Sequence, residues 1–298
     1  MSSSSRTLLV NAEVYSFSDP FATAVMIDDG VITWVGDDAG ARVHTDLADQ
    51  VVDLQGAFLA PGFVDSHIHA TSSGLRLVGL DLSDARHAQD VLDAITAHAT
   101  DRSSGIIYGH GWDETMWADS RLPHRHEIDV AAQGQHVYLS RIDVHSALVS
   151  TSLVDRCPDV HRVEGFSSHG AVAQRAHHLV REYAFEQISA QDRRDAQLAT
   201  LSLAASRGVV AVHEMGGPTI GGAEDLRSLL EHAANNAGPK VTAYWGQLAS
   251  EGGIELAREI GARGVGGDLF VDGSLGSHTA ALHEPYCDAA DTRGVLYL

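Results

Sequence analysis

Three side chains that can bind a metal ion or move a proton occupy every second position of one short segment, GFVDSHIHATSSG (residues 62–74). They are Asp65, His67 and His69. Because side chains on a β-strand alternate between its two faces, these three point to the same side. His67 and His69 then lie about 7 Å apart, close enough for two imidazoles to bind one ion. We therefore predict metal ligands at these two histidines.

The same pattern has a structural alternative, in which two histidines on a half-buried strand are hydrogen-bonded and inert. The context favours ligands, because the strand is apolar at residues 57–60 and gives way to a polar loop after His69. Parallel βα barrels gather their functional side chains where the strands end. Asp65 lies one step deeper in the strand, and we expect it to orient an imidazole rather than bind the ion.

Strand-like runs alternate with amphipathic helical patterns in the second half of the chain. Ser189 can cap a helix that ends at Gly208, and helical patterns also surround Leu229 and residues 254–262. A strand-like run follows each helix, at residues 209–212, 241–245 and 269–272. This alternation is typical of βα units that form a parallel sheet.

The first part of the chain has a β pattern instead. Residues 8–15 form a short apolar strand, a hairpin follows with its turn at residues 28–30, and another strand breaks at Pro61. We predict a β-sandwich segment at residues 1–58 and a main domain at residues 59–298. An insertion at about residues 71–180 contains a helix capped by Ser83 and two strand-like runs, GIIYGHGWDE and HVYLSRIDVHS.

The composition limits the classes of partner. The 298 residues include 40 acidic and 20 basic side chains, a formal charge of −20, which repels nucleic-acid phosphates and anionic lipid surfaces. Cys157 and Cys287 are too few for a disulfide framework. The start of the sequence has no signal-like region, and no apolar run approaches the ~18 residues of a membrane span. We expect a cytoplasmic protein that acts on a small molecule, with a homodimer left open.

Four segments together resemble a known family: VVDLQGAFLAPGFVDSHIH (residues 51–69), YGHGWDE (108–114), SRIDVHSALVS (140–150) and DLFVDGSLGSHTAAL (268–282). The first resembles the entry to the amidohydrolase superfamily, in which a Pro-Gly pair precedes the Asp-x-His-x-His strand of a metal-dependent (β/α)8 barrel. The others are similar to the branch that contains N-substituted formamide deformylase. The resemblance covers essentially the whole chain and implies a TIM-type α/β barrel, of which about the first four strands are present.

The resemblance implies hydrolysis of amide, formamide or cyclic amide bonds, with one or two divalent ions that activate a water molecule. It assigns His67 and His69 as ligands from the first barrel strand. A lysine, often carbamylated to bridge two metals, usually closes the fourth strand, and Asp268 takes the aligned position. Because an aspartate is several bonds shorter, we predict one ion, zinc, with Asp268 as a further ligand. The alternative for Asp268 is a polar residue at the start of a strand.

The substrate pocket is the remaining expectation. By resemblance it is lined from the insertion by His110, Trp112, Asp113, Asp143 and His145, and from the barrel by His213 and Asp272. For the insertion residues, the alternative is a polar network that holds the insertion together. The Gly-rich segment that begins at Asp272 is expected to be a loop that closes over the substrate.

The length of the sequence leaves a second hypothesis open. Only 26 residues follow Asp272, too few for four more βα units of roughly 30 residues each. We therefore expect the N-terminal half of a longer amidohydrolase, in which the catalytic residues are unknown. The alternative is a non-catalytic fragment or pseudoenzyme half-barrel that needs a missing half or a partner chain.

Overall fold

The computed structural model describes residues 5–101, 105–269, 271–273, 275, 278 and 280–297. The chain divides into two compact units, residues 1–63 and 64–298. The division falls just after the predicted boundary at residue 58. Among the described residues, no helix is long and apolar enough to cross a membrane.

The first unit is built on a four-stranded sheet. Its elements are β1 (Arg6–Val14), β2 (Ala24–Asp28), β3 (Val31–Gly36), α1 (Asp38–Ala41) and β4 (Gln50–Leu59). The strand order is β3-β2-β1-β4, with β1 antiparallel to β2 and parallel to β4. The predicted hairpin is confirmed, because Asp29 and Gly30 take φ angles of 49° and 78° between its strands. The described residues of this unit form one sheet, where we expected a sandwich segment.

The second unit carries two further sheets and the helices that cover them. Its elements in chain order are β5 (Phe63–Ile68), α2 (Ala70–Val78), β6 (Leu80–Asp81), α3 (Ala88–Asp101), β7 (Ile106–Trp112), α4 (Arg125–Ala131), β8 (His136–Arg141), β9 (Ser146–Val149), α5 (Thr151–Val154), β10 (Val172–Ala173), α6 (Gln174–Glu186), α7 (Ala190–Ser206), β11 (Val209–Gly216), α8 (Gly222–Asn235), β12 (Lys240–Trp245), α9 (Gly253–Ile260) and β13 (Gly264–Val265).

One of these sheets has the strand order β13-β12-β11-β5. β12 is parallel to both β11 and β13, and helices α8 and α9 connect these three strands. The predicted βα alternation and parallel sheet are therefore confirmed. Ser189 caps α7 as expected, since its Oγ accepts the backbone N–H of Asp192 at 3.1 Å. Gly208 follows the helix with a φ of 78°.

The structure corrects the prediction of a strand at residues 269–272. The strand that pairs with β12 is β13, a few residues earlier. Gly266 and Gly267 follow it with φ angles of 139° and 91°, which β-strands do not adopt, so the strand ends at Val265. Asp272 pairs with Leu296 through an isolated bridge, and residue 270 lies outside the described residues.

The other sheet occupies the range predicted for the insertion. Its order is β10-β9-β8-β7-β6, and the two strand-like runs correspond to β7 and β8. The helix assigned to Ser83 begins later, at Ala88. The Asp90 carboxylate accepts the backbone N–H groups of Arg86 and His87 at 2.7 Å and 2.9 Å. The contact that anchors the start of this helix therefore comes from Asp90, a carboxylate within its first turn, and not from Ser83.

Candidate metal centre

His67, His69 and Asp268 meet where β5 ends. Nε2 of His67 lies 3.1 Å from Oδ1 of Asp268, and Nε2 of His69 lies 3.1 Å from Oδ2. The three ligand atoms all lie within 4.8 Å of one another. In the described part of the chain, this is the one group of three or more His, Cys, Asp or Glu side chains that converges in this way. One carboxylate therefore faces both imidazoles.

Local backbone geometry brings the three side chains together. His67 lies on β5, and His69 is the residue before α2, so strand alternation places both on one face. Asp268 arrives from the segment after β13. Its carbonyl comes so close to Gly246 that a Cβ on this glycine would lie 2.8 Å from the oxygen. The absence of a side chain at Gly246 permits this approach.

The donor set fits one divalent ion. Two imidazole nitrogens and a carboxylate oxygen are ligands that zinc and other borderline ions accept. Two ligands that bind one tetrahedral ion at about 2.1 Å are about 3.4 Å apart. The observed separations of 3.1 Å from Asp268 to His67 and His69 are close to that value. The His67 side chain is 55% exposed, so the centre is open to solvent on one side.

His69 is oriented by a main-chain carbonyl. Its Nδ1 donates to the Met215 carbonyl at 3.1 Å, which leaves the Nε2 lone pair free on the Asp268 side. Burial lowers the pKa of His69, although the Asp268 charge opposes this shift, so burial favours the neutral ligand form. Asp65 differs from its expected role: the contact that the structure gives its carboxylate is with the backbone N–H of His67, at 3.2 Å.

Glu214 lies beside the centre on β11 and is 4% exposed. Its Oε2 accepts the backbone N–H of Ala70 at 2.7 Å, which anchors the first turn of α2 directly after His69. Burial raises the pKa of Glu214 to about 8, the Ala70 N–H opposes this, and the charges of Asp225 and Asp268 add to the increase. Glu214 follows the strand-like run at residues 209–212, and nothing in the sequence indicates this contact.

A buried polar network, which the sequence analysis missed, continues from this anchor. Asp225 accepts the Thr71 hydroxyl at 2.7 Å and pairs with Arg193 at 3.1 Å. Gln197 donates to Thr71 Oγ1 at 3.0 Å, so α2, α7 and α8 are joined. One signal was present: Asp225 lies four residues before buried Leu229, on the apolar face of its helix.

Two residues on β7 that we expect to line the pocket, Trp112 and His110, are instead buried within the insertion. The structure corrects the expectation that Trp112 lines the pocket. Its side chain is 1% exposed, and its indole N–H donates to the Leu139 carbonyl at 2.8 Å. A ring enclosed in the core of the insertion has no free face for a substrate. His110 is buried as well, with Nδ1 3.1 Å from Oγ of Ser140.

The acidic residues of the insertion surround one arginine. Arg141 pairs with Asp113, Glu114 and Asp143 at 2.9 Å, 2.9 Å and 2.7 Å. These contacts favour the alternative that the sequence left open, a polar network that holds the insertion together. His145 is exposed, and its backbone N–H donates to Asp143.

The side chains of His213 and Asp272 make their contacts with residues other than the three proposed ligands. The His213 ring contacts Tyr244, with ring centroids 5.6 Å apart. Asp272 accepts the backbone N–H of Ala281 at 2.8 Å. Within the described ranges, no hydrogen bond or ion pair joins either side chain to the ligands His67, His69 or Asp268. Their pocket role stays a prediction.

Comparison with known proteins gives the family. A model of the amidohydrolase family matches residues 50–297, so the chain belongs to the amidohydrolase family, as its sequence motifs predicted. It is 25% identical to the protein LONG AFTER FAR-RED 3 of Arabidopsis thaliana, over 97% of this chain and 54% of that protein. It is also 25% identical to N-substituted formamide deformylase of Arthrobacter pascens, over 50% of this chain and 28% of the enzyme.

A solved structure supports the same fold. The crystal structure of an uncharacterized metal-dependent hydrolase from Pyrococcus furiosus matches with a TM-score of 0.77 and 28% identity. The match covers 98% of this chain and 62% of that one. The chain spans about half the length of the curated relatives that it matches over most of its own length.

Proposed function

We propose that this protein is a metal-dependent hydrolase of carbon–nitrogen bonds other than peptide bonds, with an amide, formamide or cyclic amide as substrate. The observation that carries the proposal is the convergence of His67, His69 and Asp268 on one point. Membership of the amidohydrolase family and the similarity to N-substituted formamide deformylase support the bond type. Zinc is the ion that we propose, and one ion rather than two.

The chemistry divides between the ion and the chain. A divalent ion bound at this point supplies a Lewis acid, which polarises the substrate carbonyl and makes water a stronger nucleophile at neutral pH. The chain holds the donors in place. The Met215 carbonyl keeps Nε2 of His69 unprotonated and aimed at the centre, and Glu214 fixes the turn that follows. The exposed side at His67 leaves a path for the substrate.

A second candidate function is non-catalytic binding, in which this chain holds the ion but needs residues from a partner chain for turnover. One observation favours it: among the described residues, the group that converges on this point consists of only three side chains, His67, His69 and Asp268. Cytoplasmic location and a homodimer also remain predictions.

Metal content and hydrolysis measured on the same preparations test both candidates. Wild-type protein reconstituted with Zn²⁺ should hydrolyse an N-formylated amine, and EDTA should abolish the hydrolysis. His67→Ala should lose the hydrolysis and should retain one zinc ion fewer per chain than the wild type. His87→Ala, at an exposed histidine in the insertion, is the matched control and should behave as the wild type does. Wild-type turnover in His67→Ala would reject the metal centre. If the wild type retains that additional zinc ion but shows no turnover, the second candidate is supported.

A further inference from the structure

Three other histidines gather on the surface of the second unit. The ring centroids of His124 and His126 are 5.7 Å apart, and those of His124 and His169 are 5.9 Å apart. All three side chains are exposed, and the proposed metal centre uses none of them. Imidazole is a ligand for Zn²⁺, Ni²⁺ and Cu²⁺, so a cluster of this kind has the chemistry of a metal site.

The backbone holds the three residues in position before any ion binds. His124 and His126 flank Arg125, whose side chain is turned inward and is 7% exposed. The Arg125 backbone N–H donates to the His169 carbonyl at 2.9 Å. Its guanidinium donates to the carbonyls of Ser168 and Gly170 at 3.4 Å and 3.2 Å. The loop that carries His169 is therefore fixed against the start of α4 from both sides of this histidine.

The ring separations suit a shared ion. With nitrogen–metal bonds of about 2.1 Å, the centroids of two imidazoles on one ion lie about 5 to 6 Å apart. The separations at His124 fall in this range, and His67 and His69 in the candidate centre are 5.3 Å apart. The nitrogens of the three surface rings do not yet converge as the candidate centre does. Rotation of these exposed side chains between staggered rotamers can bring the nitrogens together.

The two arginines near the three histidines, Arg125 and Arg121, make their contacts with other groups. The Arg125 guanidinium lies over the Phe166 ring, 5.1 Å from its centroid, in addition to its carbonyl contacts. Arg121 pairs with Glu127 at 2.8 Å. The formal charge of the whole protein is −20, which raises the local concentration of cations. Arg125 keeps its charge, but its guanidinium is turned inward, and the charges of Asp129 and Asp155 near it offset part of its field.

We propose that His124, His126 and His169 form a second metal site, which binds a borderline divalent ion such as Zn²⁺ and takes no part in hydrolysis. An ion bound there joins the 167–170 loop to the start of α4. Because the unfolded chain has no such arrangement, the bound ion stabilises the folded protein. Imidazole ligands alone select against Mg²⁺ and Ca²⁺, which prefer oxygen.

Calorimetric titration of tag-free protein with Zn²⁺ tests this site. The variant His67→Ala/His69→Ala removes the candidate centre and should still bind one zinc per chain. Adding His169→Ala should weaken that binding at least about tenfold, because a ligand contributes no less than the groups that orient it. Adding His87→Ala instead is the control and should leave the dissociation constant unchanged. Mg²⁺ should give no binding.

Two further readouts keep the test decisive. Zinc should raise the melting temperature of His67→Ala/His69→Ala but not that of the variant that also carries His169→Ala. If the double variant does not fold, the same titration is made on protein in which His67 and His69 are intact. There, His169→Ala should lower the stoichiometry from two zinc ions to one. Absence of zinc uptake by the double variant, or an unchanged dissociation constant after His169→Ala, would overturn the proposal.

Discussion

The carbonyl oxygen of Met215 on β11 lies 3.1 Å from Nδ1 of His69, and through this contact one strand of the sheet orients a proposed ligand that directly follows its neighbour β5. The acceptor belongs to the main chain, so it persists whatever side chain occupies position 215. A carbonyl accepts but does not donate, which fixes the proton on Nδ1 and leaves Nε2 for the ion. The orientation of the ligand is thus a property of strand pairing.

Asp268 supplies the carboxylate that faces both imidazoles. We expect Asp268→Asn to lower zinc affinity by at least about tenfold, because the amide keeps the size of the side chain but removes its charge. Competition with a fluorescent zinc chelator measures the change. Asp84→Asn, at a fully exposed carboxylate, is the control and should bind as the wild type does. Equal affinities in the two variants would show that Asp268 is not a ligand.

His177 should make the protein sensitive to acid. Burial, with the positive charges of His178 and Arg181, lowers the pKa of His177 to about 4, and its Nε2 lies 2.8 Å from the Tyr138 hydroxyl. Its pKa in the unfolded chain is about 6.5. The folded pKa is depressed, so this stability is present above pH 6.5 and is lost as the pH falls toward 4, by about 3 kcal/mol in total.

Urea unfolding in EDTA at several pH values between 7 and 4 measures this effect. His177→Gln does not titrate, so its free energy of unfolding should fall less steeply over the same range. His87→Gln, at an exposed histidine, should follow the wild-type slope. Parallel curves for the wild type and His177→Gln would contradict the assignment of the acid sensitivity to this residue.

Glu214 should act in the opposite direction. Its pKa is raised to about 8 from an unfolded value near 4.5, so its contribution is complete below pH 4.5 and is lost as the pH rises through 8. Glu214→Gln keeps an acceptor for the Ala70 N–H without a charge. In metal-free protein, this variant should melt at a higher temperature than the wild type at pH 9. A difference that does not grow between pH 5 and pH 9 would argue against the raised pKa.

Trp112 distinguishes a core residue from a pocket residue. Because the ring is enclosed, Trp112→Ala should lower the free energy of unfolding by about 3–5 kcal/mol. Met116→Ala, at an exposed side chain nearby in sequence, should change it by less than about 0.5 kcal/mol. Urea unfolding measures both. A wild-type stability for Trp112→Ala, with a raised KM, would restore the pocket interpretation.

Features that depend on short-range sequence rules could be predicted. The alternation that places His67 and His69 on one face, the cap at Ser189 and the turn at Gly30 each depend on a few neighbouring residues. Asp268 was found through the resemblance to a family, because nothing within its own segment marks it as a ligand.

Features that depend on tertiary contacts could not be predicted. The hydrogen bond that the Met215 carbonyl accepts from His69 cannot be predicted from the sequence, since every residue has a main-chain carbonyl. The buried partners of Asp225 come from two other helices. The early end of β13 follows from the φ angles of Gly266 and Gly267, and glycine is compatible with both strand and turn.

Gly246 gives the candidate centre a requirement that no ligand reveals. Because a single methyl group there would collide with the Asp268 main chain, the geometry of the centre depends on the absence of a side chain at Gly246 as well as on the three ligands. Alanine at this position would push the carboxylate away from both imidazoles while leaving every donor in the sequence. A search for damaging substitutions that considered only the donors would overlook it.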